Sequence, residues 1–244
     1  MEAKVIYDDQ HQWILFGRDP EKPDNLIDTN QFMIVSGREA IILDPGGIEL
    51  FAPMLAAVLK FVPVENIRYL FSSHQDPDII SSLGLWDEVL RGCTLHCPWL
   101  WEGFVRHFGM NNIGFAPIRD EGGSVRVGDT ELQFIPAHYL HSSGNFHVYD
   151  PKSKIYFSGD VGAALEDPGA PLDVDDFEAH IPKMEGFHKR WMPSNTAKQD
   201  WIKRVRQLDI EILAPQHGRM FRGENVTKFL DWFEQLKVGS AVQG

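Results

Sequence analysis

Cysteine is nearly absent from this 244-residue chain, and the two present, Cys93 and Cys97, lie close together. Two thiols cannot build a disulfide framework, and their scarcity fits a reducing compartment. The run Cys93-Thr94-Leu95-His96-Cys97 suggests a metal or redox pair, but no second Cys/His cluster supplies the missing ligands, so packing at a strand end is the reading adopted. Basic charge is also scarce: 23 Lys and Arg stand against 35 Asp and Glu, a formal net charge of −12. The longest basic run is His188-Lys189-Arg190, which argues against a nucleic-acid backbone or an anionic membrane surface as partner. No apolar run reaches membrane-spanning length, and Met1-Glu2-Ala3-Lys4 lacks the pattern of a secretory leader. A cytoplasmic protein is expected. No Pro/Gly/Ser-rich or low-complexity tract divides the chain, and with 43% hydrophobic residues one domain over residues 1–244 is expected.

Hydrophobic periodicity and breakers outline the elements. Val5 to Leu15, Gln31 to Val35, Ala40 to Leu43 and Ile67 to Phe71 read as strands. Phe51, Met54, Leu55, Val58 and Leu59 recur at helical spacing, predicting a helix that ends near Phe61, and a second helix is expected from Ile79 to Leu90. In the other half, Ser124 to Val127 and Thr130 to Ile135 flank Gly128-Asp129 as a hairpin. Asn145 to Tyr149 and Ile155 to Ser158 flank a second turn. Helices are expected over Asp175 to Trp191, Ala197 to Leu208 and Asn225 to Leu236, with a strand from Ile210 to Ala214. Sheet then helix, twice over, implies an α/β fold layered as an αββα sandwich.

Chemistry concentrates in His74-Gln75-Asp76-Pro77-Asp78, directly after the apolar run Ile67 to Phe71. A strand that ends and turns can send alternate side chains into one cleft. One imidazole and two carboxylates suit iron or manganese better than zinc. Three more ligand types follow apolar runs in the second half: His141, Asp160 and His217. Loops at strand ends are where a rigid scaffold aims side chains at a common point.

The set His74-x-Asp76-x-Asp78, His141, Asp160 and His217 resembles the metallo-β-lactamase superfamily, and within it the di-iron domain of the flavodiiron proteins. Most zinc hydrolases of that superfamily carry His-x-His-x-Asp-His, whereas Asp76 supplies a carboxylate at the second position. The likeness spans nearly the whole chain and includes the aromatic segment Phe187-His188-Lys189-Arg190-Trp191. It implies that His74, Asp76 and His141 bind a first iron, that Asp78 and His217 bind a second, and that Asp160 bridges them; zinc or manganese could substitute. Two departures stand out. Ile79 occupies a position where the family has a ligating histidine, and Asp76 is one methylene shorter than the usual glutamate. Water, an exogenous ligand or a neighbouring side chain such as His138 or Tyr139 could fill the gap beside Ile79; Tyr139, Asn145, Tyr156 and His188 are candidates for supporting the ligands.

The chain ends at Gly244, soon after its last expected helix, so no flavodoxin-like domain and no flavin are expected. Without a resident flavin, turnover as an oxygen or nitric oxide reductase requires an external donor. The combination is similar to stand-alone oxygen-binding di-iron proteins, in which the same core is proposed to act as an oxygen sensor or carrier. Dioxygen is the expected ligand and a signalling or redox protein the expected partner, with no catalytic residue assigned. Two alternatives remain: a hydrolase of esters, thioesters or phosphodiesters using a metal-bridging hydroxide, and a reductase fed by a separate redox protein. His11, His96, His107, His147 and His180 are read as packing or surface residues. Gly84, Gly144, Gly159 and Gly218 are read as turns or close backbone approaches, and Trp99, Trp101, Phe104 and Phe108 as a packing patch or a lid over the pocket, with a partner surface as the alternative.

Overall fold

The computed structural model describes residues 1–17, 25–167 and 169–242. It is mixed α/β with two sheets, and its chain forms two compact units, Met1–Leu132 and Gln133–Gly244.

In the first unit, seven strands lie in sequence order: β1 (Ala3–Asp8), β2 (Gln12–Phe16), β3 (Gln31–Ser36), β4 (Glu39–Leu43), β5 (Ile67–Phe71), β6 (Thr94–Pro98) and β7 (Gly114–Ile118). The first four pair antiparallel. From β4 to β7 the pairing is parallel, which demands a crossover after each strand. Helix α1 (Phe51–Val58) fills the first crossover, α2 (Pro77–Ile80) with α3 (Leu83–Val89) the second, and α4 (Glu102–Val105) lies in the third. Ile14, Met33, Ile42, Leu70 and Leu95 from the sheet join Met54, Ile79, Leu83 and Trp86 in one buried cluster.

Several expectations are corrected here. Val5 to Leu15 is two strands, because the chain reverses at Asp9-Gln10-His11 and pairs Asp8 with Gln12. The helix expected from Ile79 to Leu90 is α2 and α3, interrupted at Ser81-Ser82. There the Ser82 hydroxyl donates to the Gly46 carbonyl at 2.6 Å, a contact that fastens the interruption. Cys93 and Cys97 lie at the two ends of the interior strand Thr94–Pro98 and pack in the core, as read.

The second sheet has the order β13-β12-β11-β10-β9-β8, with β8 (Gly123–Val127), β9 (Thr130–Pro136), β10 (Phe146–Asp150), β11 (Ile155–Phe157), β12 (Ile212–Ala214) and β13 (Phe221–Arg222). Gly128, between β8 and β9, has φ +53°, and a Cβ there would collide with the Ser36 carbonyl. The turn between β10 and β11 is held by Asp150, which accepts from Lys152 N–H at 3.0 Å and from the Ser153 hydroxyl at 2.6 Å. β11 and β12 pair parallel, and their crossover carries α5 (Phe177–Trp191) and α6 (Asn195–Val205). Asp176 caps α5 by accepting from Ala179 N–H, and Ser194 caps α6 by accepting from Ala197 N–H, each at 3.1 Å.

Helix α7 (Glu224–Gln235) buries Val226, Phe229, Leu230 and Phe233 at i, i+3, i+4 and i+7. They meet Trp201, Phe221 and Met184 in the core of the second unit. Lys198 is buried, and its ammonium donates to the carbonyls of Phe233, Glu234 and Leu236 at 2.5–2.8 Å. A cation there satisfies the orphan acceptors at the C-terminal end of α7.

Candidate metal centre

The first group of expected ligands leaves the C-terminal end of β5. His74 is fully buried and Asp76 is the N-cap of α2, with Pro77 at its first position and Asp78 in its first turn. Proline at that position sacrifices no hydrogen bond, and a carboxylate there is favoured by the helix dipole. His74 Nε2 lies 3.6 Å from Asp76 Oδ2. The opposite ring nitrogen, Nδ1, is 2.9 Å from the Ser73 hydroxyl, which donates to Asp44 Oδ2 at 2.7 Å. The Ser73 N–H donates to the other oxygen of Asp44 at 2.7 Å. This chain fixes the ring and gives Nδ1 its own partner, so Nε2 is the candidate ligand atom, an arrangement common behind metal-binding histidines. Sequence reasoning missed Asp44 and Ser73; the signal was a carboxylate directly after β4, the strand that pairs with β5. Asp78 is half-buried. Ile79 is fully buried and belongs to the apolar cluster of the first unit.

The second group comes from three loops of the second unit. Asp160 follows β11, His217 follows β12, and His141 lies between β9 and β10. The carboxylate of Asp160 faces both imidazoles: Oδ2 is 2.7 Å from His141 Nε2, and Oδ1 is 3.3 Å from His217 Nε2. The ring of His141 is flanked edge-on by Phe187 at 6.1 Å and Trp191 at 5.4 Å. Gly218, after His217, has φ +81°, and a Cβ there would sit 2.8 Å from the Ala164 carbonyl oxygen, so glycine lets the two ligand loops close on each other.

The candidate supporting residues divide. The Gly162 N–H of the Asp160 loop donates to His188 Nε2 at 2.9 Å, while His188 Nδ1 is 2.8 Å from the Met184 carbonyl oxygen. Complete burial holds the pKa of His188 down at about 4, outweighing the Met184 hydrogen bond, so the ring is neutral. Asn145 donates through Nδ2 to the Leu140 carbonyl, steadying the residue before His141. Tyr156 instead belongs to a buried cluster, with its hydroxyl 2.9 Å from His147 Nδ1 and accepting from Trp201 Nε1 at 3.0 Å. His147 is thus a packing residue, as expected. Tyr139 is 53% exposed with φ +63°, and His138 packs edge-on against Phe146.

Elsewhere the quieter readings apply. Both thiols are buried and free, and burial pushes the Cys93 pKa up to about 12 and that of Cys97 up as well, so neither is reactive. Trp99, Phe104 and Phe108 are exposed around α4, with Trp101 packed edge-on against Phe104.

The match to known proteins follows this geometry. Residues 27–218 match the family model described as ODP family beta lactamase. The chain belongs to the ODP family. A solved structure described as the peroxy di-iron species of the chemotaxis sensor ODP has 37% identity and a TM-score of 0.87, covering 98% of this chain and 97% of that one. The flavodiiron protein of Giardia intestinalis shares 16% identity with a TM-score of 0.83, covering 97% of this chain and 59% of that one. The ODP fold here is therefore the metallo-β-lactamase type expected from the sequence. An uncharacterised protein of Methanocaldococcus jannaschii is 22% identical over 213 residues, 86% of this chain and 54% of the relative, so this ODP-family chain spans about half of it.

Proposed function

We propose that this protein holds two irons and binds dioxygen there as a sensor or carrier. His74, Asp76, Asp78, His141, Asp160 and His217 form one centre in this reading, and the chain works as a single di-iron domain. The observation that carries it is the carboxylate of Asp160, whose two oxygens face His141 and His217 separately. In this reading His74, Asp76, His141 and Asp160 supply a mixed imidazole and carboxylate donor set suited to a metal ion. Oxygen-rich donors favour iron or manganese over zinc. Bound iron would supply electrons to dioxygen, while the protein's own residues orient the ligands and exclude water around His141.

Family membership supports oxygen binding, because the ODP relative is described as a peroxy di-iron chemotaxis sensor. Ile79 supports it as well: an apolar residue stands where flavodiiron proteins carry a ligating imidazole. Among the described residues no helix is long and apolar enough to cross a membrane. Two buried free thiols fit a cytoplasmic setting. The partner in this reading is a signalling protein.

Anaerobic loading with ferrous iron, followed by air, tests the function. A visible charge-transfer band that appears with air and fades on deoxygenation is the expected result. Tightly held zinc, no spectral response to oxygen, and esterase or phosphodiesterase activity would instead establish the hydrolase.

A further inference from the structure

Glu166 lies beyond Asp160 in the same loop, and its side chain is fully buried although charged. Four contacts hold it. Oε2 lies 2.5 Å from Lys183 Nζ and accepts from the Arg219 guanidinium at 3.2 Å, while Oε1 lies 2.8 Å from Arg219 Nε and 3.3 Å from His180 Nδ1. Burial alone would raise its pKa, but the bonds from Lys183 and Arg219 hold it below the ordinary carboxylate value. Burial keeps His180 neutral, with its pKa lowered to about 4. Among the described residues the cluster therefore has one anion against two cations.

These contacts join three segments. Lys183 and His180 belong to α5, Arg219 lies two residues past His217, and Glu166 continues the loop that carries Asp160. The backbone closes the same junction: Ala164 N–H donates to the His217 carbonyl at 3.3 Å, and Leu165 N–H donates to the Lys183 carbonyl at 3.4 Å. Arg219 holds the carboxylate through one hydrogen bond, Nη2 to Oε2, with its Nε close beside Oε1 as an ion pair.

We propose that Glu166 is a positioning residue for the second metal: through Arg219 and Lys183 it ties the Asp160 and His217 loops to each other and to α5, and so sets how Asp160 and His217 face one another. The proposal rests on the two-metal reading above. Neither Asp160 nor His217 has a covalent tie to the other's loop, so their 3.3 Å approach depends on such contacts. Glutamine in place of Glu166 keeps the shape but leaves two neighbouring cations without their anion, which favours separation of the segments.

The test is titration of metal-free wild type, Glu166→Gln and Arg219→Lys with cobalt(II), reading both affinity and the d–d spectrum. For Glu166→Gln we expect the first equivalent to bind as in wild type, and the second to weaken about 10–100-fold with an altered d–d band, as for residues that support metal ligands. Arg219→Lys keeps the charge and loses the planar guanidinium that spans both oxygens of Glu166, so a smaller weakening of the second equivalent is expected, and this variant serves if Glu166→Gln does not fold. Two wild-type-like binding steps with unchanged spectra, even in a protein that melts at lower temperature, would overturn the positioning role and leave the two-metal reading intact. Wild-type protein that took up no second equivalent would overturn both.

Discussion

The two groups of candidate ligands are built in different ways. His74 and Asp76 are two residues apart on one loop, and a short chain through Ser73 to Asp44 orients the imidazole. His141, Asp160 and His217 come from three loops far apart in sequence and meet on one carboxylate. The first group is a local motif on the end of a buried strand; the second is assembled by sheet topology, by helix α5 and by a glycine at 218. Local motifs tolerate change around them, whereas a shared carboxylate concentrates dependence on one residue.

The sharpest way to break this comparison is Asp160→Ala, which removes the carboxylate that faces both second-unit imidazoles. Iron content measured after anaerobic loading is expected to fall for both equivalents, by more than the roughly 10–100-fold seen for outer residues. Ile79→His comes next. Because Ile79 sits in the apolar cluster, an imidazole there should cost the metal-free protein about 1–3 kcal/mol by urea unfolding. Iron should then raise the melting temperature of this variant more than that of wild type; an equal rise would mean that position 79 does not reach the second metal. Ser73→Ala breaks the chain behind His74 and should weaken only one equivalent, by about 10-fold, in the same titration.

The smallest effect concerns acid. Burial lowers the pKa of His96, His180 and His188 from the ordinary 6.5 to about 4. As pH falls from 6.5 toward 4 the unfolded chain takes up these protons and the folded one does not, so the metal-free protein loses stability across that window. Urea midpoints at pH 7 and pH 5 check this. His96→Gln removes the share of the first unit and His180→Gln part of the share of the second, so the two slopes apportion the loss.

Much of the fold was legible because buried parallel strands are continuous apolar runs: Ile41-Ile42-Leu43 and Tyr69-Leu70-Phe71 could be read directly. The loop after β5 was legible for the same reason, since its ligands begin where the run stops. Strand β7 escaped notice because Gly114 and Pro117 break its pattern, and β13 because it is only two residues long. The division of α2 from α3 depends on Ser82 reaching the Gly46 carbonyl, a contact between distant residues that leaves no periodic trace. His141, Asp160 and His217 were marked by following apolar runs and were joined into one set by the resemblance, since each alone is an ordinary loop residue. Asp44 and Glu166 were missed because their roles exist only through partners remote in sequence, Ser73 for one and Lys183 with Arg219 for the other.

Oxygen uptake by anaerobically ferrous-loaded protein, followed with an electrode in the presence of an excess of chemical electron donor, tests the central claim most directly. The account predicts uptake of about one dioxygen per di-iron pair, after which consumption stops and the oxygen is recovered on lowering its pressure. No uptake, or steady consumption for as long as donor remains, would contradict it.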